Sequence, residues 1–212
     1  MVRYDLHIHT HYSRCSNLRP EVILRLAKKQ NLNGIAVTDH HEIKGALKVK
    51  KLNKDKDFEV IVGEEISTNY GDVLIYYSSK KIHEVNFFDV IDEAKNQNAL
   101  IIIPHPFRTT LINNHKFQLP LEKVRNNVDA VECFNARTLP GDNKRANKAA
   151  DKLNMAKTGG SDSHFFFEIG TAYTIFDDDL RAALKTKKTK ADGTIMLGPF
   201  GGVLSYLRKR LI

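Results

Sequence analysis

The sequence predicts an α/β fold organised on a parallel sheet buried on both faces, either an open sheet or a barrel. Three observations point there. Apolar runs of strand length alternate with helical segments along the chain. The runs are continuous, as in strands covered on both faces by helices. His, Asp and Glu recur at or just past the ends of those runs, where α/β folds assemble their sites.

The first strand is the run Met1, Val2, Tyr4, Leu6 and Ile8, interleaved with Asp5, His7 and His9. A period of two puts His7 and His9 on one face, about 7 Å apart. Imidazoles so placed can reach one cation of zinc, manganese or iron type, or stand as ordinary, partly buried histidines. A polar loop (His11 to Arg19) leads to Pro20, which opens a helix through Gln30 with Val22, Ile23, Leu26 and Ala27 on one face. Asn31 to Gly34 is a turn, and Gly34-Ile35-Ala36-Val37 is a strand running into Thr38-Asp39-His40-His41. A helix from about Ile43 to Leu52 and a strand from Phe58 to Val62 follow, the strand entering Gly63-Glu64-Glu65-Ile66.

Val73 to Tyr77 reads as a strand and Phe87 to Asn96 as an amphipathic helix. Leu100 to Ile103 is a buried strand that ends at Pro104-His105-Pro106. The loop from Phe107 to Gln118 is longer than most connections, which marks it as functional. A helix near Leu121 to Asn126 precedes the strand Ala130 to Phe134, and Asn143 to Leu153 is helical. Ala156 to Thr158 runs into Gly159-Gly160-Ser161-Asp162-Ser163-His164. Thr171 to Phe176 is a strand, Asp178 to Lys185 a short helix, and a last helix starts after Gly201-Gly202.

With 212 residues, 42% hydrophobic and 27% charged, the composition is globular and suits a single domain over 1–212. No apolar run approaches the ~20 residues of a membrane span. No basic-then-apolar leader precedes the first strand, so a cytoplasmic protein without a membrane partner is expected. Cys15 and Cys133 do not make a disulfide framework. The net charge is +8, and the basic stretches Lys48 to Lys56, Lys185 to Lys190 and Arg208 to Arg210 read as solvated surface. Such a field attracts phosphate-bearing substrates and could attract nucleic acid. Oligomeric state is not legible.

Asp5, His7, His9, Asp39, His40, Glu65, His105, Glu132, Asp162 and His164 thus gather at strand ends. Each would need a partner if buried. Metal ions satisfy such a pool, and a bridging carboxylate allows two ions about 3.5–4 Å apart.

The set Asp5-x-His7-x-His9-Thr10, Thr38-Asp39-His40, Gly63-x-Glu65, Pro104-flanked His105 and Gly160-Ser161-Asp162-Ser163-His164 resembles the PHP family, named for polymerase and histidinol phosphatase. The match spans residues 2–176 in family order. The resemblance implies a distorted (β/α)7 TIM-like barrel with two or three divalent ions (Mn, Zn or Fe) at the C-terminal end of the strands. By this resemblance His7, His9 and Asp162 would hold one metal, Glu65 would bridge to a second, and His105 would hold the second. The family often places a His where this chain has Asp72. Asp72 is therefore either a harder ligand that favours Mn²⁺ or an exposed turn residue. A third site would use His40, His164 and, where the family has Asp or His, Cys15. That cysteine is either a thiolate ligand or a buried inert thiol.

Asp5 and Asp39 flank ligands and are expected to orient imidazoles through their other nitrogen. Asp39 also suits a helix N-cap, and Glu132 is a weaker candidate for the orienting role. Cys133 reads as core. His11, His41, His83 and His115 read as surface or loop residues, with His11 and His41 nearest the site mouth.

The implied activity is metal-dependent hydrolysis of a phosphomonoester or nucleotide-like substrate by a metal-bound hydroxide. His40 or His164 would protonate the leaving oxygen and, with Asp162, make up the catalytic set. Arg108 and Arg137, and also Arg14, are the candidate phosphate forks. Only 40 residues separate Glu65 from His105, which leaves no room for a large inserted domain. The alternatives are a histidinol phosphatase, an exonuclease on nucleic-acid ends, and a non-catalytic PHP-type scaffold or binding subunit.

Overall fold

A computed structural model describes residues 1–109, 116–177, 179–195 and 199–211. Its elements in chain order are β1 (Val2–Ile8), α1 (Pro20–Lys29), β2 (Gly34–His40), α2 (Lys44–Leu52), β3 (Glu59–Thr68) and β4 (Gly71–Tyr76). Next come α3 (Phe87–Asn96), β5 (Leu100–Ile103), α4 (Leu121–Val124), β6 (Ala130–Asn135) and α5 (Pro140–Leu153). The last are β7 (Ala156–Gly160), β8 (Ala172–Phe176), α6 (Leu180–Lys185), β9 (Lys190–Gly193) and α7 (Pro199–Leu211). Half of the long loop from Phe107 to Gln118, residues 110–115 with His115, lies outside the described residues, as does Asp178.

The strands form one sheet in the order β7-β6-β5-β4-β3-β2-β1-β8-β9. β1 to β7 make the wall of a TIM-like barrel. Closure is divided along the free edge of β1. Its first half pairs with β8, from Val2 opposite Phe176 to Tyr4 opposite Thr174. Its last residues meet the segment after β7, where Ile8 bridges Ser163 and the His9 amide donates to the Ser163 carbonyl at 2.9 Å. That shared edge is the distortion of the barrel.

The sheet is mixed, a correction to the all-parallel expectation. β4 runs antiparallel to both β3 and β5, and β8 and β9 are antiparallel to their neighbours. The physical reason lies in Asn69-Tyr70, two residues between paired Thr68 and Gly71. So short a link can close a hairpin but cannot make a parallel crossover. Gly71, at φ +117°, takes the backbone angle this turn demands. Pairing with β4 also carries β3 to Thr68, beyond the apolar run. Two helix starts differ as well: α5 begins at Pro140, and α7 at Pro199 with both glycines inside it. β9, four polar or small residues, had no apolar signal.

Apolar side chains sort into one inner cluster and two outer ones. The barrel is filled by Tyr4, Leu6, Ala36, Ile61, Leu74, Tyr76, Leu100, Ile102, Ala130 and Ala156, one or two from every wall strand. Outside, α1 and α2 cover Ile8, Ile35, Val37, Val60 and Val62. Helices α3 to α5 cover Val73, Ile75, Ile101, Ile103, Val131 and Cys133. Cys133 is core as expected, and burial pushes its thiol up to about 12.

Tyr4 and Leu6 belong to the inner cluster and Ile8 to the outer one, which strict alternation forbids. The β1–β2 register slips between Asp5 and Ile8, where Asp5 opposes Ile35 but Ile8 opposes Val37. This bulge switches the face of the strand and turns His7 and His9 to the inside, above Leu6.

Candidate metal centre

At the C-terminal mouth of the barrel the inward-facing residues change from apolar to ionisable on every wall strand. β1 contributes His7, with His9 just past its end, β2 His40, β3 Glu65 and β6 Glu132. His105 follows β5, and Asp162 and His164 follow β7. Asp72 arrives differently. It opens β4, and because that strand is reversed, its start lies where β3 ends, opposite Ser67. Ser67 Oγ donates to Asp72 Oδ1 at 2.7 Å.

The ligand atoms converge. Four groups each place their donor atoms within 4.8 Å of one another: His7, His9 and Glu65; Glu65, Asp72 and His105; His7, His105 and Asp162; and His9, His40 and His164. His7 Nε2 faces His9 Nε2 at 3.1 Å. Glu65 turns Oε2 to His9 Nε2 (3.3 Å), His7 Nε2 (3.5 Å) and His40 Nδ1 (3.1 Å), and Oε1 to His105 Nε2 (3.2 Å). Asp162 Oδ1 lies 3.4 Å from His9 Nε2 and 3.8 Å from His7 Nε2. Two backbones take left-handed angles to bring this about, His105 at φ +29° and Asp162 at φ +54°. Such conformations are sparsely populated and persist where surrounding structure enforces them, often at functional sites.

This donor set fits divalent ions. His7 Nδ1 meets Glu132 Oε1 at 3.0 Å, so Nδ1 keeps its proton and Nε2 is the nitrogen a metal would take, displacing the proton held there. Imidazole nitrogens and carboxylate oxygens directed at common points, buried and close to neutrality only when a cation joins them, are what zinc, manganese or iron require.

Electrostatics follows from burial and company. Burial opposes charge on His7, but Glu132, Asp162 and Glu65 outweigh it and hold its pKa well above the usual value. His9 moves the same way, with Asp162 and Glu65 overcoming burial. His40 is pushed down to about 4 by desolvation, with Glu65 opposing and His9 adding to the fall. His164 lies well below its ordinary value through burial, Arg137 and His9. Burial would raise Glu65 and Asp162, yet the neighbouring imidazoles, and Arg108 beside Asp162, hold both well below the carboxylate range. The shifts of His40 and His164 favour the uncharged imidazole, whose free nitrogen suits a metal ligand.

The flanking residues are corrected. Asp5 touches no imidazole: it accepts from the backbone amides of His7 (3.3 Å), Ser161 (2.9 Å) and Gly170 (2.9 Å) and so ties β1 to the loop after β7. Burial raises its carboxyl to about 6. Asp39 does not cap α2, whose N-cap is Ile43. It accepts from Thr10 N (2.7 Å), Thr10 Oγ1 (2.6 Å) and Ser13 Oγ (2.6 Å), and Ser13 in turn lies 3.5 Å from His9 Nδ1.

Glu132, the weaker candidate, has the direct imidazole contact, and its Oε2 also accepts from the His105 amide (3.0 Å) and Asn135 Nδ2 (3.0 Å). One carboxylate therefore positions His7 and His105 together. Gly160 makes room for this, since a methyl there would collide with His7 Cβ and press on Glu132 Oε1. Glu132→Gln is expected to weaken metal binding roughly 10- to 100-fold, read by calorimetric titration, because the amide accepts less strongly from His7 Nδ1.

Cys15 is not in any of the four groups; His9 stands with His40 and His164 where the thiolate was expected. Burial, Asp162 and Glu65 push its thiol up to about 12. It lines the cavity. Arg137 is also corrected. Its Nε and Nη2 donate to Glu168 at 2.9 and 3.0 Å and its Nη1 to Ser205 Oγ at 3.0 Å, all buried. Arg108 Nη1 donates to Asp162 Oδ2 at 3.1 Å from a side chain that is 16% exposed. His11 and His83 are exposed. His41 lines the cavity, and its Nε2 accepts from the Ser67 amide at 3.1 Å.

The centre opens into a cavity of about 560 Å³. Its walls include Tyr12 to Cys15 from the loop after β1, Arg108, and a face of α7 comprising Gly202, Val203, Ser205, Tyr206 and Lys209. The α7 wall was missed: Arg208 to Arg210 had read as solvated surface, yet Lys209 lines the cavity. Among the described residues no helix is long and apolar enough to cross a membrane.

A family model described as PHP-associated matches residues 140–189. The uncharacterized protein MJ1587 of Methanocaldococcus jannaschii is 33% identical over 148 residues, 64% of this chain and 82% of that one. MJ0417 of the same organism is 34% identical over 185 residues, 84% of this chain and 71% of that one. A Bacteroides vulgatus two-domain protein containing a predicted PHP-like metal-dependent phosphoesterase has a similar fold, with TM-score 0.74 at 19% identity. The alignment covers 91% of this chain and 65% of that one.

Proposed function

The chain belongs to the PHP family, and from that premise we propose that it is a metal-dependent phosphoesterase acting on a phosphomonoester or nucleotide-like substrate. One observation carries the reading: Glu65 joins two ligand groups, His7 with His9 and Asp72 with His105, through its two different oxygens. A carboxylate so placed is what a two-metal hydrolytic site needs.

His7, His9, Asp162 and Glu65 would hold one ion, and Glu65, Asp72 and His105 a second. His9, His40 and His164 could take a third. The ions, when bound, supply Lewis-acid stabilisation of the phosphoryl oxygens and lower the pKa of water toward neutrality. The protein supplies the rest. Glu132 holds His7 and His105 in their orientation, and Asp39, through Ser13, does the same for the loop beside His9. Arg108, anchored on Asp162, keeps further N–H donors for a phosphate oxygen. The barrel wall and α7 restrict water at the reacting centre.

The test is a hydrolysis screen over nucleotides, bisphosphates and histidinol phosphate with Mn²⁺, Zn²⁺ or Fe²⁺ supplied. Turnover is expected to vanish on chelation and return with metal. Metal-loaded protein that hydrolyses none of these esters would favour the scaffold instead.

The raised pKa of His7 gives a second expectation. Without ions, the folded protein holds a proton there at pH 7, and a metal must displace it. Affinity should therefore rise with pH until the raised value is passed and fall on acidification. Calorimetry at pH 7 in buffers of differing ionisation enthalpy should register net proton release. Equal heats in all buffers would contradict the proton assignment.

A further inference from the structure

We propose that the cavity selects phosphoesters whose leaving group carries a second anionic group, received at the rim by Arg14 and Lys209. This rests on the phosphoesterase reading of the same site and adds to it the substrate class. Among the residues lining the cavity, cations are of two kinds. Arg108 is anchored on Asp162 at the floor, where its further N–H donors face the reacting phosphoryl group, and Arg137 is spent on Glu168 and Ser205. Arg14 and Lys209 are exposed and have no hydrogen bond or ion pair among the described residues.

They come from different parts of the chain. Arg14 lies in the loop that follows β1, next to Ser13, whose hydroxyl is bound to Asp39. Lys209 lies in the last turn of α7 and shares a face with Gly202, Ser205 and Tyr206, the spacing of one helical stripe. That stripe is pinned toward the cavity, because Ser205 Oγ accepts from the buried Arg137 guanidinium. Gly201 beside it packs so closely on Arg137 and Glu168 that a methyl would stand 3.0 Å from each. The Lys209 backbone is thus held in place, while its ammonium has no acceptor among the described residues.

Depth separates their role from that of the centre. The ligand atoms of His7, His9, Glu65, His105 and Asp162 are buried at the cavity floor, where the reacting phosphoryl group must sit. Arg14 and Lys209 line the same cavity but are exposed, away from that buried floor, and are therefore assigned to the leaving group. Two cations with no partner among the described residues attract carboxylate or phosphate oxygens and repel an amine. A cavity of about 560 Å³ is in the small-molecule range. The geometry therefore favours acidic phosphomonoesters over amino-alcohol phosphates such as histidinol phosphate.

Non-hydrolysable probes test this on the Mn²⁺-loaded protein at fixed ionic strength. Ethylphosphonate has one anionic head; phosphonopropionate adds a carboxylate and ethylenediphosphonate a second phosphonate, each too far along the chain for easy chelation of a single ion. By calorimetry the better two-headed probe is expected to bind roughly tenfold tighter than ethylphosphonate. That ratio should fall to within about twofold in the double variant Arg14→Ala, Lys209→Ala, and Lys209→Arg should keep most of it. Which two-headed probe leads identifies the second group as carboxylate or phosphate. Equal affinity for all three in the unaltered chain, or a ratio that survives the double variant, would overturn the proposal while leaving the phosphoesterase reading intact. No binding of any probe, together with no hydrolysis of p-nitrophenyl phosphate, would remove that reading and this one with it.

Discussion

Glu65→Gln is expected to fold and to lose phosphomonoester turnover by on the order of 10³-fold or more. The substitution keeps the volume and one carbonyl acceptor but removes the charge that four imidazoles face: His7, His9 and His40 at Oε2 and His105 at Oε1. Without that carboxylate the shared ligand of the two groups is lost, so metal content should fall along with the rate. The side chain is buried within the barrel, whose apolar filling lies below it and is not touched, so stability should change far less than activity. Elemental analysis and kcat/KM on p-nitrophenyl phosphate separate the two effects. His9→Ala and Asp162→Ala should behave alike. A Glu65→Gln protein retaining full rate and two ions would break the bridging assignment.

Arg137→Met has its largest effect on stability, with an expected loss of about 3–5 kcal/mol. The guanidinium and Glu168 are both almost wholly inaccessible, and removing one strands the other. Glu168 would keep only the amides of His164 (2.8 Å) and Phe165 (2.9 Å). In a chain of this length such a loss lowers the melting temperature by roughly 10 °C. Arg137→Lys should recover little, because an ammonium cannot reproduce the fork toward Glu168 and also reach Ser205. Thermal denaturation is the deciding measurement. Had Arg137 been a phosphate fork, as its place after β6 suggested, its loss would raise KM and leave the melting temperature unchanged. The pair instead links α7, through Ser205, to the turn that carries His164.

These two cases show how far local pattern reaches. Glu65 was legible because a carboxylate at the end of an apolar strand is anomalous on its own. Arg137 was misread because its sequence position resembles that of a site residue, and only Glu168, distant in the chain, reveals the donors as occupied. Glu132 was undervalued for the converse reason: it sits inside a strand, where a charged residue gives no hint of which imidazole it will meet. Cys15 was placed by analogy, and the space beside His40 and His164 goes to His9.

What the amino-acid order determined alone is the alternation of strands and helices, the barrel-compatible apolar runs, and the level along each strand where ionisable residues begin. Those are properties of periods two and 3.6, which neighbours in sequence impose on each other. Tertiary structure alone decided the bulge that turns His7 inward, the reversal of β4 that carries Asp72 to the mouth, the divided edge of β1, and the approach of α7 with Lys209. Each of these depends on register or packing between segments far apart in the chain. There a shift of one residue exchanges the faces of a strand, and no local preference can specify it.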